Sequence, residues 1–247
     1  MRDPDGNPAW TKGIWKGVYM VGIEKAAAAA ITYVVPHVKY AGGDYPTTPL
    51  VDGEAPFVVD TKVFLHAAED GVKGTVTITG EWGATKKQAV TLHAGENNVT
   101  ISLEAATPKI WWANGMGAQP LYNVTATFEA DDAAVRGTAA GSSASPPTVV
   151  RRVGFRHVVL VTFNDTNKTF VAEAEQSKLQ GNGDHTLMFR MNGAPFFAKG
   201  ANMIPMESLE GRYEPGMHTQ LVANAADGGM NMLRVWGYVV VHLPQLC

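Results

Sequence analysis

The feature that most constrains this chain is a sustained two-residue alternation of apolar and polar side chains between about Ile31 and Phe163. Successive side chains of a strand point to opposite faces, so the pattern marks strands with one buried and one wet face. Val72, Gly74, Val76 and Ile78 alternate with Lys73, Thr75, Thr77 and Thr79. Val99, Ile101 and Leu103 alternate with Asn98, Thr100 and Ser102, and Tyr122, Val124, Ala126 and Phe128 with Asn123, Thr125 and Thr127. Phe57, Val59, Thr61, Val63 and Leu65 supply another such strand. Turn-forming clusters at Glu69-Asp70-Gly71, Gly80-Glu81-Trp82-Gly83 and Ala94-Gly95-Glu96-Asn97 separate the runs. Short strands at this spacing, with no helical period between them, predict a mainly β fold: an antiparallel β-sandwich of immunoglobulin type. The Cys…Trp…Cys spacing of antibody domains is absent, so the expectation concerns architecture only.

After Phe163 the pattern changes. Leu187–Met191 and Pro195–Ala198 flank Asn192-Gly193, which suits the two left-handed positions of a type I′ hairpin turn. Phe196–Asn202 reads as a buried strand and His218–Asp227 as a helix with Leu221, Val222 and Ala225 on its apolar side. Gly228-Gly229 ends that helix, and Met230–Trp236 reads as a second buried strand. Strand, helix and strand in this order make the βαβ unit that opens a parallel α/β sheet or barrel. Two low-complexity stretches stand apart: Ala26–Ala30, read as a linker or helical turn, and Gly137–Pro147, read as a flexible surface loop.

Composition narrows the function classes. With 45% hydrophobic and 17% charged residues among 247, the chain can bury a core. A net charge of -3 argues against a nucleic-acid partner, which needs a basic face. No apolar run reaches the roughly 18 residues of a membrane span, and the opening Met1–Gly6 has no apolar signal segment. The single cysteine, Cys247, excludes an internal disulfide framework, and the seven histidines show no metal-ligand spacing, so no metal or cofactor is expected. Glycosylation sequons occur at Asn98, Asn123, Asn164 and Asn167. The first two fall on the outward positions of their strands, where a glycan has room.

Six short motifs follow one another along the chain: Gly13-Ile-Trp-Lys-Gly-Val-Tyr19, Trp111-Trp-Ala-Asn-Gly-Met-Gly-Ala-Gln-Pro-Leu-Tyr122, Arg152-Val-Gly-Phe-Arg156, Asn192-Gly193, Ala198-Lys-Gly-Ala-Asn-Met-Ile-Pro205 and Asn231-Met-Leu-Arg-Val-Trp-Gly237. Each is weak alone; in this order the chain resembles glycoside hydrolase family 2, and within it the β-mannosidase branch. The resemblance implies a jelly-roll remnant over residues 1–25, an immunoglobulin-like sandwich over 26–163, and over 164–247 a hairpin with the first strands of a TIM (β/α)8 barrel. Where the family has Trp-Asp-Trp-Gly before its Gly-Ile-Trp segment, this chain has Asn7-Pro-Ala-Trp-Thr11.

The implied activity is retaining hydrolysis of terminal β-D-mannosyl residues from oligosaccharides or glycoproteins, the β-mannoside-terminated glycan being the partner. Retention needs two carboxylates about 5–5.5 Å apart, which the family draws from barrel strands further downstream. No catalytic residue is therefore assigned here. Glu207, Glu210 and Glu214 are read as capping or surface residues, and the chain alone is expected to be inactive. Asn202, Arg234 and Trp236 would contact the sugar at the carboxyl ends of the first two barrel strands. Met203 stands where the family carries a tryptophan. Trp111 and Trp112 are expected to pack between sandwich and barrel, and Arg152 and Arg156 to form salt bridges. After Gly237 the sequence leaves the family pattern, as truncation, a frameshift or an alternative exon would produce. Family habit and the sequons point to a lysosomal or secreted protein. The alternatives are a non-catalytic β-sandwich acting as a glycan-binding or interaction module, and an exo-β-glucosaminidase fragment.

Overall fold

The computed structural model describes residues 18, 28–131, 146–162, 187–204, 214 and 216–235. The chain divides into two compact units, Ile23–Phe197 on one side and Ala198–Cys247 with Met1–Gly22 on the other.

In the first unit, β1 (Ala29–Tyr40), β2 (Phe57–Ala67) and β5 (Gly95–Ala105) form one antiparallel sheet in the order β1-β2-β5. The strands β3 (Val72–Gly80), β4 (Thr85–Leu92), β6 (Tyr122–Ala130) and β7 (Thr148–Val153) form a second, in the order β4-β3-β6-β7. Their inner faces share one core: Phe57, Val59, Val63 and Leu65 of β2 and Ile101 and Leu103 of β5 lie in the same buried cluster as Val76, Ile78, Val124, Ala126 and Phe128. These are the apolar members of the alternating runs, each side chain larger than alanine contributing roughly 1.5–3 kcal/mol on burial. The result is the antiparallel sandwich that the alternation predicts, with three strands facing four.

Phe155 closes one end of this core. It is fully buried, with ring centroids of Phe57, Trp82 and Tyr122 at 5.4, 5.1 and 5.2 Å. Such edge and tilted contacts suit the ring quadrupoles. The Trp82 indole also ties the sheets together, donating to the Glu104 carbonyl at 2.9 Å. Gly80 must stay bare beneath it, since a Cβ there would lie 2.4 Å from the Trp82 ring.

Three sequence expectations are revised in this unit. Ala29 and Ala30 begin β1 and are neither linker nor helix, because they pair with Ala67 and His66. Asn97 lies within β5 rather than in a turn; its side chain donates back to the His93 carbonyl at 2.8 Å and accepts the His93 N–H at 3.1 Å. Among the described residues Arg156 makes no salt bridge; it lies over the Trp111 ring, 4.4 Å from its centroid, since an exposed guanidinium gains from an aromatic face as readily as from a carboxylate. Trp112 packs on the sandwich core. The expectations for residues 1–25 and for Gly137–Ser145 lie outside the described residues, Val18 apart.

A third antiparallel sheet joins β8 (Val158–Val161), β9 (Met188–Met191) and β10 (Ala194–Phe196) in the order β10-β9-β8. Asn192 and Gly193 turn β9 into β10 with φ of 49° and 83°, the two left-handed positions of a type I′ turn. This turn is buried, which hairpin tips rarely are. Asn192 is 0% exposed, and a Cβ on Gly193 would lie 1.9 Å from the Thr48 carbonyl oxygen.

The second unit contains β11 (Gly200–Met203), the helix α1 (Met217–Asp227) and β12 (Met232–Val235). The two strands pair in parallel, as a βαβ unit requires. Gly228 and Gly229 stop the helix: Gly229 takes φ 75° and donates to the Ala226 carbonyl, while Met230 donates to that of Ala225. Both strands are shorter and wetter than their apolar composition suggests. The run expected over Phe196–Asn202 breaks after Phe196, whose backbone is committed to β10, and only Met203 of β11 is buried. In β12, Arg234 and Val235 are exposed.

Candidate functional site

The site is built on the parallel ladder of the second unit. Its start is set by Asn231, which follows the two glycines that end α1. The Asn231 side chain accepts the Lys199 N–H at 2.9 Å, and its own N–H donates to the Lys199 carbonyl at 2.9 Å. This clasp fixes β12 against β11 before the first rung. Gly200 permits the approach, because a Cβ there would lie 1.8 Å from the Met232 carbonyl oxygen. From that start the register places Gly200 opposite Met232, Ala201 opposite Leu233 and Asn202 opposite Arg234.

Two of the three residues expected to contact a sugar are thereby brought together. Arg234 Nη1 donates to Asn202 Oδ1 at 3.1 Å, both side chains lying exposed near the carboxyl ends of their strands. They line a shallow, open cleft of about 330 Å³ with Ala198, Gly200, Ala201 and Met232. The bond uses one lone pair of the Asn202 oxygen and leaves its NH2 as a donor, while the guanidinium has further N–H groups to offer. The pair can therefore grip adjacent hydroxyls. It cannot exchange protons with them, because an amide does not titrate and arginine stays protonated.

Trp236, the third expected contact, lies outside the described residues, as do Glu207 and Glu210. Glu214 is exposed. Met203, at the position where the resemblance gives a tryptophan, is buried, 4% exposed. Sequence reasoning passed over Lys199, Gly200 and Asn231. An asparagine between a helix-ending Gly-Gly and a strand was the available signal, but nothing in the pattern shows which backbone it clasps.

Of the sequons, Asn98 on β5 and Asn123 on β6 are both exposed, and Asn164 and Asn167 lie outside the described residues. Across the described residues no helix is long and apolar enough to cross a membrane.

Known proteins share this arrangement of sequence. β-Mannosidase A of Emericella nidulans is 30% identical over 240 residues, which cover 94% of this chain and 23% of that enzyme. The relative of the same name from Aspergillus niger is 30% identical over 242 residues, covering 94% of this chain and 24% of its own length. This chain is homologous to the β-mannosidases of glycoside hydrolase family 2. It spans about a quarter of the length of these curated relatives. No family model matches the chain.

Solved structures agree at the level of the fold. A β-D-mannosidase from Dictyoglomus thermophilum superposes with a TM-score of 0.58 at 23% identity, over 86% of this chain and 22% of that one. An exo-chitosanase from Amycolatopsis orientalis superposes with a TM-score of 0.55 at 20% identity, over 87% of this chain and 20% of that one. The mainly β architecture is thus that of family 2 glycosidases, and the homologues are hydrolases of glycosidic bonds.

Proposed function

We propose that this chain serves the hydrolysis of terminal β-D-mannosyl residues from oligosaccharides or glycoproteins by retaining double displacement, and that it contributes sugar-positioning groups rather than the catalytic carboxylates. The observation that carries the reading is the Arg234–Asn202 pair, joined at 3.1 Å over an open cleft at the carboxyl ends of two parallel strands. In this reading β11, α1 and β12 open a (β/α)8 barrel, whose active sites gather on that face. The two groups hold hydroxyls, and Trp236 adds an aromatic face for the apolar side of the pyranose. Acid/base and nucleophile are two carboxylates about 5–5.5 Å apart, contributed by other residues, so the chain alone releases no product. Such an enzyme would work in a lysosome or outside the cell.

The test is a titration of the chain with 4-nitrophenyl β-D-mannoside, followed both for binding and for nitrophenol release. The expected result is binding without turnover, weakened at least tenfold by Arg234→Ala and by Asn202→Ala, as loss of a charged hydrogen bond of roughly 1.5–3 kcal/mol requires. Turnover abolished by replacing a carboxylate of this chain, or binding indifferent to both substitutions, overturns the reading.

A further inference from the structure

The outer face of the β1-β2-β5 sheet carries an arrangement unrelated to the cleft. Asn98 is exposed on β5, an edge strand of that sheet, and begins the sequon Asn98-Val99-Thr100. Its cross-strand partner is Phe64 on β2, whose own partner on β1 is Tyr33. Residues directly opposite in a ladder point to the same face, with Cβ atoms about 4.5–5.5 Å apart. Asn98, Phe64 and Tyr33 therefore form one row across three strands.

The two rings in this row lie on the outer face, each edged by a long cationic side chain that a sugar would displace: Lys62 Nζ is 5.0 Å from the Phe64 centroid and the Arg151 guanidinium 5.6 Å from that of Tyr33. Tyr33 is 46% exposed and Phe64 half-buried, their centroids 6.3 Å apart. The same face carries Val35, 40% exposed, and Val58 beside His37, Lys39, Asp60, Lys62, Thr100 and Ser102. The Asn98 amide makes no hydrogen bond with the described residues, whereas its neighbour Asn97 is held by His93. Asn123, the other described sequon residue, has no such platform: Arg152 is its partner on β7, and the Glu81 carboxylate accepts its N–H at 2.7 Å.

We propose that Asn98 is an N-glycosylation acceptor and that the first N-acetylglucosamine of its glycan rests on the Phe64–Tyr33 ring pair. The donor is a lipid-pyrophosphate-linked oligosaccharide. The Asn98 amide nitrogen forms a bond to the anomeric carbon and loses one proton, and the bond from that carbon to the pyrophosphate oxygen breaks, its electron pair leaving with the lipid pyrophosphate. The attached pyranose presents its apolar C–H face to the rings, which removes exposed aromatic surface from water. It also covers the outer edge of β5, where unpaired backbone groups invite another strand.

The test uses the full chain with Thr125, Thr166 and Thr169 replaced by alanine, so that Asn98 is the sole acceptor. It is made in a secreting eukaryotic host behind a leader and, separately, in bacteria without the modification. Glycopeptide mass spectrometry is expected to find Asn98 occupied. After trimming to a single N-acetylglucosamine, the glycosylated chain is expected to melt about 2–4 °C above the bacterial one. That gap is expected to close in Phe64→Ala and to shrink in Phe64→Leu, which keeps apolar bulk without a ring face. An unmodified Asn98, no gap, or a gap of the same size in both Phe64 variants refutes the proposal.

Discussion

The side-chain amide of Asn192 donates to the carbonyl oxygen of Trp111 at 2.9 Å, from a position with no solvent exposure. Its Oδ1 accepts the His157 N–H at 2.8 Å, its own N–H donates to the His157 carbonyl at 2.7 Å, and its carbonyl accepts from Leu50 at 2.8 Å. One turn residue thus satisfies three separate stretches of the sandwich unit. Arg190, 4% exposed, reinforces it by donating to the carbonyls of Gly193 at 2.9 Å and Thr47 at 3.2 Å.

Asn192→Ala should accordingly destabilise the chain by about 3 kcal/mol. It strands the Trp111 carbonyl and the His157 N–H, each worth roughly 1–3 kcal/mol when left unpaired, and it puts alanine at a left-handed position, an added cost of roughly 1 kcal/mol. Urea denaturation measures the loss; a change below about 1 kcal/mol would mean that water replaces the amide.

Thr61→Val should act in the opposite sense. Thr61 is fully buried on the inner face of β2, and its Oγ1 has no hydrogen-bond partner among the described residues. Replacing the hydroxyl by a methyl of similar size relieves an uncompensated polar group, a gain of about 1 kcal/mol. A higher denaturation midpoint at an unchanged slope is the expected result.

Acid should weaken the fold through His157. Burial lowers its pKa below the ordinary 6.5, and its Nε2 is enclosed without a hydrogen-bond partner among the described residues. Below that pH the unfolded chain takes up a proton that the folded one resists, so stability is full above pH 6.5 and falls as pH drops through the lowered folded value. His157→Gln should flatten the dependence of Tm on pH between about 7 and 5. Asp60 does not interfere in that window. Lys39 at 2.7 Å and the Ser102 hydroxyl at 2.6 Å hold its carboxyl below the ordinary 3.8, so its contribution disappears only at more acid pH.

Gly200→Ala should open the candidate site. The added carbon would meet the Met232 carbonyl oxygen, which is backbone and cannot turn aside. Separating the strands costs roughly 1–3 kcal/mol and breaks the register that sets Asn202 against Arg234. Hydrogen exchange should show the β12 amides losing protection while those of β2 keep theirs.

The sandwich was legible wherever a strand has one face in the core. Val76, Ile78, Val124, Ala126 and Phe128 announce themselves by alternation and are all buried. The pattern is silent for β4, where only Leu92 is buried, so that strand shows almost no apolar face. Asn192-Gly193 gave away the turn but not its burial, because local propensity says nothing of the Trp111 and Leu50 groups it meets. Likewise Asn202 and Arg234 could be named from motif order, but their pairing depends on a register set by Asn231 and Gly200. The arginine at 156 carries no mark of whether it will find a carboxylate or, as here, an indole.

The Asn192 turn also bears on the order of assembly. Its bonds to His157 and Trp111 span 35 and 81 residues of chain, and the Arg190 bond to Thr47 spans 143. Closing loops of that length costs entropy that only an already formed sandwich can offset. The turn is therefore expected to dock after the rate-limiting step of folding, and Asn192→Ala to speed unfolding while leaving the folding rate nearly untouched, which stopped-flow folding and unfolding rates would check. The hairpin acts as a latch on the lifetime of the folded chain.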